Sequence, residues 1–461
     1  MILDDYMPTD SRGRVLDGWY SFFTDGTGTI IGSSDPAVVP VSTYAHLPRR
    51  HRSLSKGERI NDYLIFEGED SAIFTAKTDG YLEYPGLGWN SHLVLPKSAI
   101  FSQRVDASKS LLQPEDLLHS QIIPDVNKET YIKIQDDKES IQLISLNGIV
   151  FASKLGKRGV ALGPIFDQIT KTGDFATSMM EKLLAEMAVG ELEMNLRALE
   201  NSSKQAIDVI DRNLFERAAD IRWWSTDQYF WSALESPGED VYEAASKRLK
   251  VINASYTMYR NLVLADRNGD IVACSRLEMR NELRKLNVSD HEWFQSGMRT
   301  ADSSEYAVQD VVQSPLERTK DRSLIYVGGI RRNGVRQGEA IGVLGILFDW
   351  DTEAQTILRT CLPMDRLGSP IPGAAAFYTN RDGIIIETTD PQRFAVGMKP
   401  RIADEHHCLD RGASCSGLLL HDQIRYLIGS SRTQGYREYE GLRWSAHIVR
   451  PVDAISVQAY S

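Results

Sequence analysis

One stretch of this chain occurs twice, and any fold it adopts must accommodate both copies. Gly80 to Ile100 reads GYLEYPGLGWNSHLVLPKSAI, and Gly435 to Ile455 reads GYREYEGLRWSAHIVRPVDAI. At a constant offset of 355, twelve of these 21 positions are identical, among them Tyr81/Tyr436, Trp89/Trp444 and His92/His447. The same offset pairs Phe22 with Phe377, Thr24 with Thr379, Gly28 with Gly383 and Pro36 with Pro391, without a gap. Residues 1–105 therefore repeat 356–460. Each copy reads as a strand hairpin, a polar loop region and two closing strands.

The segment between the copies follows another pattern. Residues 106–162 are expected to form a small β connection, with strands TYIKIQ and SIQLISL around the polar turn DDKE. From Gly163 to Ser236, apolar residues recur at helical spacing (Leu192, Leu196 and Leu199, then Ile207, Ile210, Leu214) and no proline falls between Pro164 and Pro237. A long amphipathic helix over 163–236, interrupted near Gly190, is the expectation. A second helix is expected over about 241–259. A hairpin follows at Asn261 to Cys274, turning at Asn268-Gly269, where positive φ is tolerated. Two apolar strands, Ser323 to Ile330 and Ala340 to Phe348, lead through a helix at 351–358 into the second copy. The fold class is α+β. Its expected parts are a module at 1–105, the connection at 106–162, the long helix at 163–236, and lobes at 237–350 and 351–461.

Composition narrows the function. The net charge is −11, the wrong sign for a protein that holds nucleic acid through its phosphates, so no nucleic-acid partner is expected. MILDDYMPTD lacks the basic and apolar runs of a secretory signal, and a cytoplasmic location is the expectation. Four cysteines are too few for a disulfide framework in 461 residues. There is no nucleophile elbow, Gly-Lys phosphate loop, His-Glu-x-x-His or dinucleotide fingerprint. Neither enzymatic activity nor a cofactor is expected.

Between Asn261 and Trp350 the segments NLVLADRNGDIVACS, VSDHEWFQSGM, EYAVQDVVQSP, SLIYVGGIRRNG and IGVLGILFDW resemble the double Cache (dCache) sensor domain of bacterial chemoreceptors and sensor kinases. GYREYEGLRWSAHIVRP resembles the closing strands of its second lobe, and LFERAADIRWWSTD the end of its long first helix. The resemblance spans about 180–455, and 1–105 as a second-lobe-like partial copy. It implies PAS-like antiparallel sheets on a long amphipathic helix, with an additional N-terminal Cache-like lobe and a small-molecule pocket in the first full lobe. Ligand occupancy would reach a signalling partner or separate output module by repacking the helix. The apolar stripe of that helix itself reads as the side that packs on a core or, more sharply, as the seam of a homodimer.

Amino-acid-binding members carry Arg-x-Trp-Tyr in that pocket. Here the matching residues are His291, Glu292, Trp293 and Phe294, with Tyr306 and Asp310 for the next pair. The preceding Tyr position is Leu286, and the amine-binding Asp position is Leu347, two residues before Asp349. His cannot clamp a carboxylate with a bidentate fork, and a buried ammonium without a counter-charge is costly. The resemblance thus implies a ligand other than a typical α-amino acid, held by His291, Trp293, Phe294, Tyr306, Asp310 and Tyr326. The bland alternatives are that Trp293 and Phe294 are core, that Asp310 makes a turn, and that Asp349 or Asp351 caps the next helix. A scaffold that keeps the fold without a ligand is the competing function.

Three further groups have bland readings. Glu405-His406-His407-Cys408 with Cys415 lacks the spacing of a zinc site and reads as an exposed loop, so no metal is expected. His46 and Arg49 to Arg52 read as a solvated positive loop. His92 and His447 read as packed strand residues.

Overall fold

The computed structural model describes residues 18–80, 84–96, 112, 116–117, 120–155, 162–256, 258–318, 322–365 and 367–453. The chain divides into two compact units, residues 1–108 and 109–461. The first unit holds one antiparallel sheet of strands β1 (Tyr20–Thr24), β2 (Ile30–Ser33), β3 (Arg59–Phe66), β4 (Glu69–Lys77) and β5 (Asn90–Pro96), in the order β2-β1-β5-β4-β3. Alternation divides its faces. Phe22, Ile73 and Val94 point to a core completed by Val39, Ala45 and Leu47 from the loop after β2. Phe74 on β4 and the exposed Tyr63 and Ile65 on β3 point the other way.

The second unit opens on two helices, α1 (Asp125–Lys154) and α2 (Gly163–Trp224). The β connection expected at 106–162 is thus corrected: its strand-like runs lie within α1. The α1–α2 contact explains the misreading. It is made through Gln135 and Lys138 on Glu181, Ser145 on the Phe166 carbonyl, and Gly148 against the Phe166 ring. Ile132, Leu143, Leu146 and Val150 stay exposed. Apolar periodicity therefore does not mark the packed face. Helix α2 continues through Gly190 without a break for 62 residues, about 93 Å at 1.5 Å per residue.

After α3 (Gln228–Glu235) and α4 (Glu239–Ala254) comes the first lobe. Its strands are β6 (Tyr259–Asp266), β7 (Ile271–Cys274), β8 (Ala307–Gln313), β9 (Arg322–Arg331) and β10 (Ala340–Asp349), in the order β7-β6-β10-β9-β8. Helix α5 (Glu292–Met298) packs across one face. Gly269 has φ +86°, as the Asn-Gly turn requires. Helix α6 (Trp350–Thr360) is capped by Asp349, whose carboxylate accepts from the Thr352 N–H at 3.3 Å.

The second lobe has β11 (Ala375–Thr379), β12 (Ile385–Thr388), β13 (Ser414–His421), β14 (Ile424–Arg432) and β15 (Ser445–Pro451), in the order β12-β11-β15-β14-β13. Every strand boundary lies 355 residues after its counterpart in the first unit. One face of this sheet packs on α2: the Tyr378 hydroxyl donates to the Ala206 carbonyl at 2.8 Å, and Ser203 and Ser431 share a 2.7 Å hydrogen bond. The architecture is α+β, with PAS-like antiparallel sheets and a long helix. Among the described residues no helix is long and apolar enough to cross a membrane.

Both repeated histidines are buried within their sheets. His92 bonds Thr24 at 3.0 Å and Thr75 at 2.9 Å, and His447 bonds Thr379 at 3.0 Å and Ser430 at 2.7 Å. Burial pushes both imidazoles down to about 3, so they are neutral and need one donor and one acceptor, which hydroxyls supply. The chain of bonds continues to His51 in the first unit and His406 in the second lobe. Neither is solvated: His51 is fully buried and pairs with Asp62 at 2.7 Å, and His406 is buried against Ser430. The loop readings at these two residues are corrected accordingly.

Candidate functional site

The six residues singled out from the sequence lie in three places. Trp293 and Phe294, on α5, are buried in the first-lobe core with Val263, Leu283, Val343 and Leu347. Among the described residues the Trp293 indole N–H has no hydrogen-bond partner. Leu286 packs on the same cluster, so aliphatic side chains fill the position between sheet and helix. His291 stands at the helix N-terminus and its side chain makes no capping bond.

Tyr306 and Tyr326 belong to a joint between the lobes and α2. Their rings stack at 6.0 Å, and the Tyr326 hydroxyl lies 3.1 Å from that of Tyr439. The Arg222 guanidinium sits 5.9 Å from the Tyr306 ring centre and pairs with Glu438 at 3.2 Å. About three turns earlier on α2, Asp211 accepts from the Thr433 hydroxyl and, at 2.7 Å, from the Gly435 N–H. Burial pushes the Asp211 carboxyl up to about 6, partly offset by those hydrogen bonds. Gly435 has φ +80°, and a side chain there would meet the Tyr439 carbonyl. The repeated stretch thus forms the turn that seats the second lobe on α2.

Asp310 is elsewhere again. It lies on β8 beside a cavity of about 170 Å³ lined by Glu292, Gln309, Asp310 and Val312 of the first lobe and by Arg381, Leu442 and Trp444 of the second. Burial raises its carboxyl above the usual carboxylate range, against the pull of the Val311 N–H at 2.8 Å and of the Arg381 charge. Two carboxylates and one guanidinium on a small cavity favour a ligand with a cationic or hydrogen-bond-donating group. Arg381, in the turn after β11, carries no sequence signal for this role, and Glu292 stands beside Trp293 but faces the other way. Trp444 is visible in the sequence only as part of the repeat. Among the described residues no group of three or more His, Cys, Asp or Glu side chains could hold a metal ion. The four cysteines are free thiols.

Two antiparallel lobes of one strand order on a shared helix, with a polar cavity between them, define the class by its architecture: a tandem PAS-like module. Several solved structures are similar to part of the chain. The sensory domain of the Campylobacter jejuni chemoreceptor Tlp3 (CcmL) with isoleucine bound is similar over 56% of this chain and 94% of its own, at 15% identity and a TM-score of 0.40. The sensor domain of the V. cholerae histidine kinase DctB is similar over 57% and 98%, at 13% identity and a TM-score of 0.40. The ligand-binding domain of the Pseudomonas fluorescens chemoreceptor CtaA in complex with L-serine is similar over 54% and 92%, at 14% identity and a TM-score of 0.35. No protein-family model matches the chain, and no curated protein matches it. Similarities of this size transfer no residue role.

Proposed function

We propose that this chain is a sensory protein that binds a small polar molecule in the cavity around Asp310 and passes occupancy to a signalling partner through α2. The observation that carries the reading is a burial-raised carboxylate facing a cavity whose walls come from both lobes. A ligand bridging Asp310 and Arg381 would favour one placement of the lobes over others, which is what a population shift requires. Arg222 and Asp211, both on α2, touch the joint that would feel such a change. The cavity is smaller than the roughly 300–1,000 Å³ of drug-sized sites, which suits a compact amine or polyol. An α-amino acid held between sheet and helix is not the ligand we propose, because Leu286 and Leu347 occupy that position. The exposed apolar residues of α1 and the start of α2 suit a homodimer through the long helix. Free thiols suit a reducing, cytoplasmic setting.

A scaffold without a ligand is the second reading, favoured by the filled core around Trp293 and Phe294. Thermal shift of the full chain against compact amines, polyols and carboxylates separates the two. The sensory reading expects a compound that raises the melting temperature of the wild type and binds Asp310→Asn at least tenfold more weakly. Stabilisation by none of them, or binding untouched by Asp310→Asn and Arg381→Ala, would leave the scaffold.

A further inference from the structure

The outer face of the first-unit sheet carries exposed rings and aliphatic side chains, and at its centre it differs from its duplicate, which is covered. In the second lobe that face lies under α2, and the closest approach is at Gly429 on β14, where a side chain would strike the Leu199–Glu200 backbone. At the offset of 355, Gly429 corresponds to Phe74, Ser431 to Ala76 and Arg450 to Leu95, while Ser414 corresponds to Arg59. Contiguous exposed apolar residues on a sheet face mark an interaction surface. Phe74 is 43% exposed, Tyr63 60% and Ile65 71%. Between Phe23, Arg59, Phe74 and Leu93 runs a groove of about 470 Å³.

Phe74 decides what can cover the face. A ring where the duplicate has glycine closes the seat a helix backbone uses, so a helix cannot approach as α2 does. A second sheet can, because stacked sheets stand about 10 Å apart with side chains interdigitated between them. The face spans four strands of about seven residues, on the order of 500 Å². Two such faces would bury about 1,000 Å², the lower bound for a specific interface. Its two ends along the strands carry unlike charges, Arg59 at the start of β3 and Asp70 at the start of the antiparallel β4, and a twofold axis across the strands can bring Arg59 of each copy near Asp70 of its mate.

We infer that the outer face of the first-unit sheet is a self-association surface, on which a second copy of this chain packs sheet to sheet about a twofold axis. Phe74 and Ile65 lie at its centre and rim. The test is sedimentation of the full chain at tens of micromolar, with Phe74→Asp, Ile65→Lys and, on the helix hairpin, Leu146→Asp. The expected result is that Phe74→Asp and Ile65→Lys each halve the sedimenting mass or weaken association at least tenfold, while Leu146→Asp leaves this contact intact. Because Ile65 and Phe74 are exposed, both variants should keep the wild-type circular dichroism and melting profile; if one does not, the other decides. A monomeric wild type, or an oligomer that neither sheet variant changes, overturns the inference.

Discussion

Gly429→Ala tests the seat of α2 on the second lobe. A Cβ at this position would stand 2.5 Å from the Glu200 backbone nitrogen and closer still to the Leu199 carbonyl. Both obstacles are helix backbone, so no side chain can swing aside. Relief requires the helix and β14 to part by about 1 Å, which stretches the Ser203–Ser431 bond from 2.7 Å and the Tyr378–Ala206 bond from 2.8 Å. Overpacking costs about 1–3 kcal/mol, and here the upper end applies because nothing yields locally. Two weakened buried hydrogen bonds add about 1 kcal/mol each, giving about 3–5 kcal/mol. Unfolding entropy of about 2.1 cal/mol/K per residue, over a unit of about 350 residues, converts that to a fall of about 4–7 °C in melting temperature. Differential scanning calorimetry of the full chain reads it. Leu420→Ala, on the same sheet but 67% exposed, is the control and should stay within about 0.5 kcal/mol. If Gly429→Ala melts within 1 °C of the wild type, to an order-of-magnitude tolerance of about 1 kcal/mol, the helix is not seated where the structure has it.

Two further predictions concern the joints. Asp211 holds its proton up to about pH 6 when folded and releases it near 3.8 when unfolded, so the folded state binds more protons between these values. Stability should therefore fall as pH rises through that window, by up to about 3 kcal/mol from this group, and Asp211→Asn should remove that part of the slope in urea titrations; superimposable pH profiles would contradict it. Arg322 of the first lobe donates to the Ile386 carbonyl and to Glu387 of the second, both at 2.5 Å, and pairs with Asp351 at 2.7 Å. Burial already raises the Glu387 carboxyl. Arg322→Ala strands that carboxylate, at a cost of about 3–5 kcal/mol in denaturant unfolding. A loss under about 1 kcal/mol would show that the bridge does not hold the lobes together.

The strand modules were legible because duplication samples one backbone twice. Where Gly28 and Gly383 coincide, so do the turn and its positive φ, at 96° and 77°. The Asn268-Gly269 turn and the strands on either side of Arg331–Gly338 were legible from turn chemistry and unbroken apolar runs. Helix α1 was not, because its packed seam mixes Ile134 and Ile141 with Lys138, Ser145 and Gly148 while Ile132, Leu143, Ile144, Leu146 and Ile149 face outward, so the pattern did not mark the core. Within the candidate site, aromatic residues attracted attention for a reason that also makes them core: Trp293 and Phe294 are large and apolar. Arg381 and Asp310 lie 71 positions apart, and only the docking of two lobes brings them to one cavity. His406 shows the reverse case. Its neighbours suggested metal chemistry, whereas the duplicate His51 points to a hydrogen-bonded relay that ends on Asp62. In the second lobe Gly417 stands where Asp62 does, and the His406 Nε2 makes no hydrogen bond among the described residues, with the Glu405 carboxylate 3.8 Å away.

The unbroken length of α2 also has a mechanical meaning. The two lobes grip only its C-terminal half, through Asn195 to Arg222, and the rest extends beside α1. A rod of about 93 Å converts small angles into large distances: a tilt of two degrees at the gripped end, about the size a repacked side chain allows, moves the free end by about 3 Å. That is comparable to the width of a side chain. A displacement too small to alter the fold of either lobe is therefore enough, at the hairpin, to make or break a contact with another molecule.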